Sequence, residues 1–124
     1  MTMTKYHVLF FEKENGDIPV EDFINSLDLK LSAKVYRLIA ILSENGSNIR
    51  EPYSKHLEDG IFELRVQLGS NNTRVLYFFM VGHRIVLTNG FVKKTSKTPS
   101  SEIDIAKAYR KEYLEREAYY NENI

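Results

Sequence analysis

Arg65, Arg74, Lys93, Lys94 and Lys97 are the residues of this chain whose types and spacing point to chemistry. They fall in residues 64–101, a stretch with six bases, Arg84 included, and no acid. The whole chain nevertheless balances 17 Lys/Arg against 17 Asp/Glu. The segment NGFVKKTSKTP (89–99) concentrates three of the lysines, and the nearest acids are Glu63 upstream and Glu102 downstream. Such asymmetry sets up a local positive field suited to a polyanion or an acidic partner. The plainer alternative is six solubilising charges pointing to different sides.

Like charges in proximity repel by roughly 1 kcal/mol or more per close pair at moderate dielectric, and a phosphate relieves that repulsion. Arginine meets a phosphate as a fork and lysine as a point charge. Phosphodiester cleavage needs a backbone held in line, an extra negative charge stabilised, and two protons moved. Arg65 and Arg74 suit the first two tasks, and a lysine can protonate the leaving 5′-oxygen. RNA carries its own nucleophile, the 2′-hydroxyl, so this chemistry needs neither a metal nor an activated serine. The competing reading makes Arg65 and Arg74 edge charges or partners of Glu63.

Other candidates are weaker. Lys55 and His56, in YSKHLEDG, lie near the basic residues and join Glu63 and Lys97 as candidate RNA contacts. His7 reads as a partly buried strand residue and His83 as an exposed turn residue. Thr95 and Ser96 have no evident base partner. Tyr109, Tyr113, Tyr119 and Tyr120 read as core or partner contacts before base-stacking platforms. There is no HExxH, no carboxylate cluster of metal-ligand spacing, no Walker loop and no GxSxG, so no metal or cofactor is expected.

The elements that must position these residues follow from periodicity. YHVLFF (6–11) reads as a strand and ENGD as a turn. Pro19 opens a short helix carrying Val20, Phe23, Ile24 and Leu27. A second helix runs from about Asp28 to Asn45 on a stripe of Leu31, Val35, Leu38, Ile39 and Leu42, with Gly46 as its stop. Residues 47–60 read as loop. In IFELRVQLG the period changes to two, which leaves Glu63, Arg65 and Gln67 on an exposed face. TRVLYFFMV (73–81) is apolar throughout, as in a central strand covered on both faces. Gly82-His83 suits a type II′ hairpin turn into RIVLTNGFV (84–92), where Gly90 marks a bulge or a close backbone approach. Thr98 is the expected N-cap, with Pro99 at the first position, of a last helix reaching Tyr120. The order is β-α-α-β-β-β-α, an α+β fold whose last three strands form an antiparallel meander with the helices on one face.

At 124 residues, 43% hydrophobic and 27% charged, the chain makes one globular domain spanning 1–124. No apolar run approaches the ~20 residues of a membrane helix. The start, MTMTKYHVLFFEKENG, has only a short apolar run followed at once by acids, so no export signal is expected. With zero cysteines there is no disulfide or thiolate site, and a cytoplasmic setting is the expectation.

The run from HLEDGIFELR through TRVLYFFMVGHRIVLTNGFVKKTSKTP to EIDIAKAYR resembles the RelE/HigB toxin family, and more closely its phage-derived HigB branch. The resemblance covers about residues 5–116, with Ala106 and Arg110 in its final helix. It implies a RelE-like fold and an mRNA interferase acting on translated messages at the ribosome, leaving a 2′,3′-cyclic phosphate or 3′-phosphate and a 5′-hydroxyl. It implies Arg65, Arg74, Lys93 and Lys94 as catalytic residues and Lys97 as a backbone contact. A catalytic His or Tyr after the last strand, present in some relatives, is missing here. The implied partners are a HigA-type helix-turn-helix antitoxin, the ribosome and its mRNA, and operator DNA through the antitoxin complex. The alternatives are a ParE-like inhibitor of DNA gyrase that cuts no RNA, or an inert homologue that only binds a partner. Convergence of the basic residues on one groove would separate the first reading from these.

Overall fold

A computed structural model describes residues 5–123. Residues 1–4 and 124, which the single-domain and leader expectations included, lie outside the described residues. The elements run β1 (His7–Phe10), α1 (Pro19–Asn25), α2 (Leu29–Asn45), a 3-10 turn (Gly46–Asn48), β2 (Ser54–Glu58), β3 (Ile61–Leu68), β4 (Asn71–Met80), β5 (Arg84–Val92) and α3 (Ser100–Glu122). The five strands form one sheet in the order β1-β5-β4-β3-β2. β1 pairs with β5 in parallel, and the other three pairings are antiparallel. The α+β class is as expected, but the strand count and the placement of helices are not.

The helices do not share a face. The stripe read for α2 packs with Val20 and Ile24 of α1 on Leu64, Val66, Val75, Tyr77, Ile85 and Leu87. The opposite face carries Phe11, Ile61, Leu76, Phe78 and Val86, and α3 covers it through Ala106, Tyr109 and Tyr113. Successive residues of a strand point to opposite faces, so β4 is buried on both sides and its unbroken apolar run has that cause. The placement of α3 escaped the sequence because only Ile103 and Ala106 of its 23 residues are buried. Further contact comes from aromatic and ionic groups, including Tyr109 stacked on Phe11 at 4.6 Å and Glu117 gripped by Arg84 of β5 at 2.8 Å.

β2 lies in the segment read as loop. As an edge strand it needs backbone pairing on one side only, and SKHLE buries little besides Ser54, so no apolar alternation announces it. A usable signal was present in Asp59-Gly60, a dipeptide favoured in tight hairpins. Both residues sit at positive φ, 50° and 75°, between the paired Glu58 and Ile61. Three residues, not two, separate the paired Met80 and Arg84, and both Gly82 and His83 have positive φ, so the β4–β5 turn is not of type II′. Gly90 is a close approach: a Cβ there would stand 2.4 Å from Cδ2 of Phe23. The bulge lies nearby, where Leu76 pairs Asn89 but Tyr77 pairs Leu87. His7 is exposed rather than partly buried: it lies at the start of the edge strand β1, on the face opposite Val8 and Phe10, which pack on the α2-side core.

Candidate functional site

The site starts from one cross-strand pair. Arg65 of β3 and Arg74 of β4 are direct partners in the antiparallel register. Like charges directly opposite one another destabilise a sheet. Glu63, two residues before Arg65 on the same face, resolves the conflict. Its Oε2 accepts from Arg65 Nε at 2.9 Å and its Oε1 lies 3.6 Å from Arg74 Nε. One carboxylate thus serves two guanidinium groups, and Arg65 also reaches Glu51 at 3.6 Å.

The face of β3 is not open as the alternation suggested. Glu63 is 1% exposed and Arg74 5%, because the 93–99 segment and α3 close over them. Thr98 explains much of this. Its hydroxyl donates to Glu63 Oε1 instead of capping α3, whose N-cap position is taken by Pro99 without a side-chain cap. The buried carboxylate is the stronger acceptor, since hydrogen bonds to ionised groups are roughly twice as strong as neutral ones. Thr98 thereby ties the lysine-bearing loop to the two arginines.

Arg74 is held from below. Its Nη1 donates to the Thr73 carbonyl at 3.0 Å and to the Asn72 side chain, while its Nε is buried without a hydrogen-bond partner. Burial, reinforced by Arg65 and opposed by Glu63, lowers its pKa from the ordinary arginine value. Lys93 continues the pairing one step beyond β5, its amide donating to the Asn72 carbonyl at 2.7 Å. Its ammonium pKa is also lowered, by desolvation first and then by Arg74, with Arg65 and Lys55 adding to the effect and Glu63 opposing it.

A hollow of about 370 Å³ opens in front of these groups, between β2, β3 and the loop into α3. Lys55, Arg65, Lys93 and Lys97 line it, against the carboxylates Glu58 and Glu63. Glu58 is engaged by Lys107 Nζ at 2.6 Å, so the hollow keeps a positive surplus. Lys55 is there because the missed β2 pairs it directly with Glu63. Arg74 and Arg65 also line a smaller cavity of about 260 Å³ on the α2 side, beside Lys34 and Asn72. Arg65 is the residue common to both.

Of the residues singled out in the sequence, Lys55, His56, Glu63, Arg65, Lys93 and Lys97 meet at this hollow, and Arg74 supports it from behind. Lys94 is exposed and is not part of the lining. Asn72, which was not singled out, and Thr98, expected only as a helix cap, also belong to the arrangement. Their roles depend on which carboxylate or guanidinium comes within reach, which no local pattern encodes. Among the described residues no group of three His, Asp or Glu is placed to hold a metal ion, and no helix is long and apolar enough to cross a membrane.

Arg110, carried by the resemblance, anchors α3 and not the site: its Nη2 meets Asp59 Oδ2 at 2.9 Å. That contact clamps the β2–β3 turn and so fixes the strand that carries Lys55.

The family model for phage-derived Gp49-like proteins matches residues 22–111 of the chain, a span from α1 into α3 that includes every residue of the hollow. No curated protein is similar enough to the chain to count as a match.

Proposed function

Because the chain belongs to the phage-derived Gp49-like family, within the RelE/toxin-like group, we propose that it is the toxin of a toxin–antitoxin pair and a metal-independent endoribonuclease acting on translated mRNA. The observation that carries this reading is the cross-strand pair Arg65–Arg74 held around the single buried carboxylate of Glu63. Titratable groups perturbed by burial and by specific charge partners, facing a cavity, are candidates for a functional site. A scissile phosphate entering the hollow meets the positive surplus that Lys55, Arg65, Lys93 and Lys97 leave there.

The RNA 2′-hydroxyl attacks the adjacent phosphorus. The O2′–P bond forms, the P–O5′ bond breaks, and the products are a 2′,3′-cyclic phosphate and a 5′-hydroxyl. Arg65, whose side chain is 26% exposed, donates to a non-bridging oxygen as its charge grows. Arg74 is too buried to touch the substrate and acts through Glu63 and Arg65, as a positioning residue and a fixed positive charge. Lys93 delivers the proton to O5′, and its lowered pKa makes that transfer less uphill than from an ordinary lysine. Glu63 is no general base here, since Thr98, Arg65 and Arg74 already occupy both its oxygens. The 2′-hydroxyl proton therefore goes to solvent.

A surplus of a few charges gives weak, salt-dependent affinity for naked RNA, so the ribosome supplies the alignment. In this reading a HigA-type helix-turn-helix antitoxin restrains the toxin in the cytoplasm, and the pair represses its own operon. The test is induction in cells with 5′-end mapping of transcripts. Cuts within translated codons, lost in Arg65→Ala and Arg74→Ala but kept in Lys94→Ala, are expected. Intact transcripts accompanied by DNA damage would replace the ribonuclease with a gyrase inhibitor.

A further inference from the structure

Lys55 and His56 are neighbours on the edge strand β2 and face opposite sides of the sheet. Lys55 pairs with Glu63 on the side of the hollow, whereas the His56 ring sits edge-on to Phe62 at 4.9 Å. Both residues also line a second cavity of about 430 Å³ on the α2 side of that strand. This is the volume range of small-ligand sites, and nothing in the proposed cleavage uses it.

Its walls are aromatic. Phe62 stacks on Tyr77 at 5.5 Å, and Phe79 stands edge-on to both at 5.2 and 5.6 Å. The turn Gly46–Asn48 provides the facing wall through Gly46 and Ser47. The buried polar groups in the cavity are the hydroxyls of Ser54 and Tyr77, hydrogen-bonded to each other, while the exposed Ser47, Arg50 and Glu51 stand at its rim. Two hydroxyls sharing one bond keep one O–H and several lone pairs for a third group. Burial pushes the Tyr77 hydroxyl up to about 12, so it stays a neutral donor at any physiological pH.

We propose that this aromatic cavity receives the base of the nucleotide next to the phosphate held in the hollow, and so gives the chain a base preference at its cleavage site. The inference rests on the reading above, because the hollow must first hold an RNA phosphate. The two cavities share Lys55 and His56 and lie on either side of the one edge strand β2. A nucleotide wrapped round that edge would keep its phosphate on the Lys55 side and its base on the His56 side. The base is sandwiched by His56 and the phenylalanines, and its polar edge meets the Ser54–Tyr77 pair. Base–aromatic stacking alone tolerates any base, so discrimination comes from those hydroxyls.

The test is an amide-shift titration of the intact chain with inorganic phosphate, and separately with adenosine and cytidine 3′-monophosphates. Phosphate is expected to move the amides of Lys55, Arg65 and Lys93. The nucleotides are expected to move those and also Ser47, His56, Phe62 and Phe79. At least one nucleotide should bind roughly 5- to 100-fold more tightly than phosphate, the range that stacking of one base supplies. Phe62→Leu, in a wall of the aromatic cavity and outside the hollow, should remove part of that advantage and leave phosphate affinity unchanged. Nucleotides behaving like phosphate, in pattern and affinity, would overturn the base site and leave the hollow standing. Silence of the hollow toward phosphate and nucleotides alike would overturn the ribonuclease reading and the base site together.

Discussion

Replacing Glu63 by Gln keeps the shape of the side chain and removes its charge from the centre of the site. With an effective dielectric of about 20, attractions across 2.9 and 3.6 Å are each about 5 kcal/mol before desolvation is counted. Arg65 and Arg74 would then face each other with no anion between them. A glutamine has one oxygen to offer. Turned toward Arg65 Nε it keeps that bond, but its amide nitrogen then points at Arg74 Nε, a buried donor that already lacks a hydrogen-bond partner. Removing one partner of a buried pair costs about 3–5 kcal/mol. The kept Arg65 bond argues for the lower end, so about 3 kcal/mol is expected. For a domain of this size that is a fall in Tm of roughly 10 °C. The assay is urea and thermal unfolding of wild type and Glu63→Gln at pH 7, with and without phosphate. Phosphate should restore more stability to the variant than it adds to the wild type, because the variant has lost its internal anion. A loss below about 1 kcal/mol, together with equal phosphate responses, would refute the idea that the two guanidinium groups depend on this carboxylate.

Lys93→Met should abolish RNA cutting and yet raise the melting temperature at neutral pH. A lysine whose folded pKa lies below its unfolded value opposes folding while it is charged, and wild-type stability should gain as pH rises through that interval; a variant less stable than wild type would contradict this. Glu117→Gln should flatten the acid limb of the stability curve. Arg84 holds the Glu117 pKa below the usual carboxylate range, so its contribution is complete above the unfolded pKa and is lost as pH falls through the folded one; identical pH profiles for the two proteins would count against it. Gly90→Ala should cost roughly 1–3 kcal/mol in unfolding experiments because Phe23 must move aside; an unchanged midpoint would show that α1 yields freely.

Periodicity in the chain determined the elements that bury apolar side chains. The stripe of α2, the alternation of β3 and the run of β4 each record a burial pattern, and burial is what the hydrophobic effect selects. The bounds of β5 and the Asp28 start of α2 were legible for the same reason. The concentration of bases in residues 64–101 was likewise visible, as was the candidacy of Arg65, Arg74 and Lys93. Tertiary structure alone decided what involves polar groups at long range. β2 is held by backbone bonds that leave no mark in side-chain pattern. α3 crosses to the far face through a few aromatic and ionic contacts. Thr98 abandons its expected cap for a carboxylate 35 positions away. Glu63, which reads locally as a solvated partner for Arg65, becomes the buried hub of two opposed arginines because the β3–β4 register places Arg74 across from Arg65. Electrostatic energy depends on through-space distance, and a linear spacing of charges carries no information about that distance until the sheet has closed.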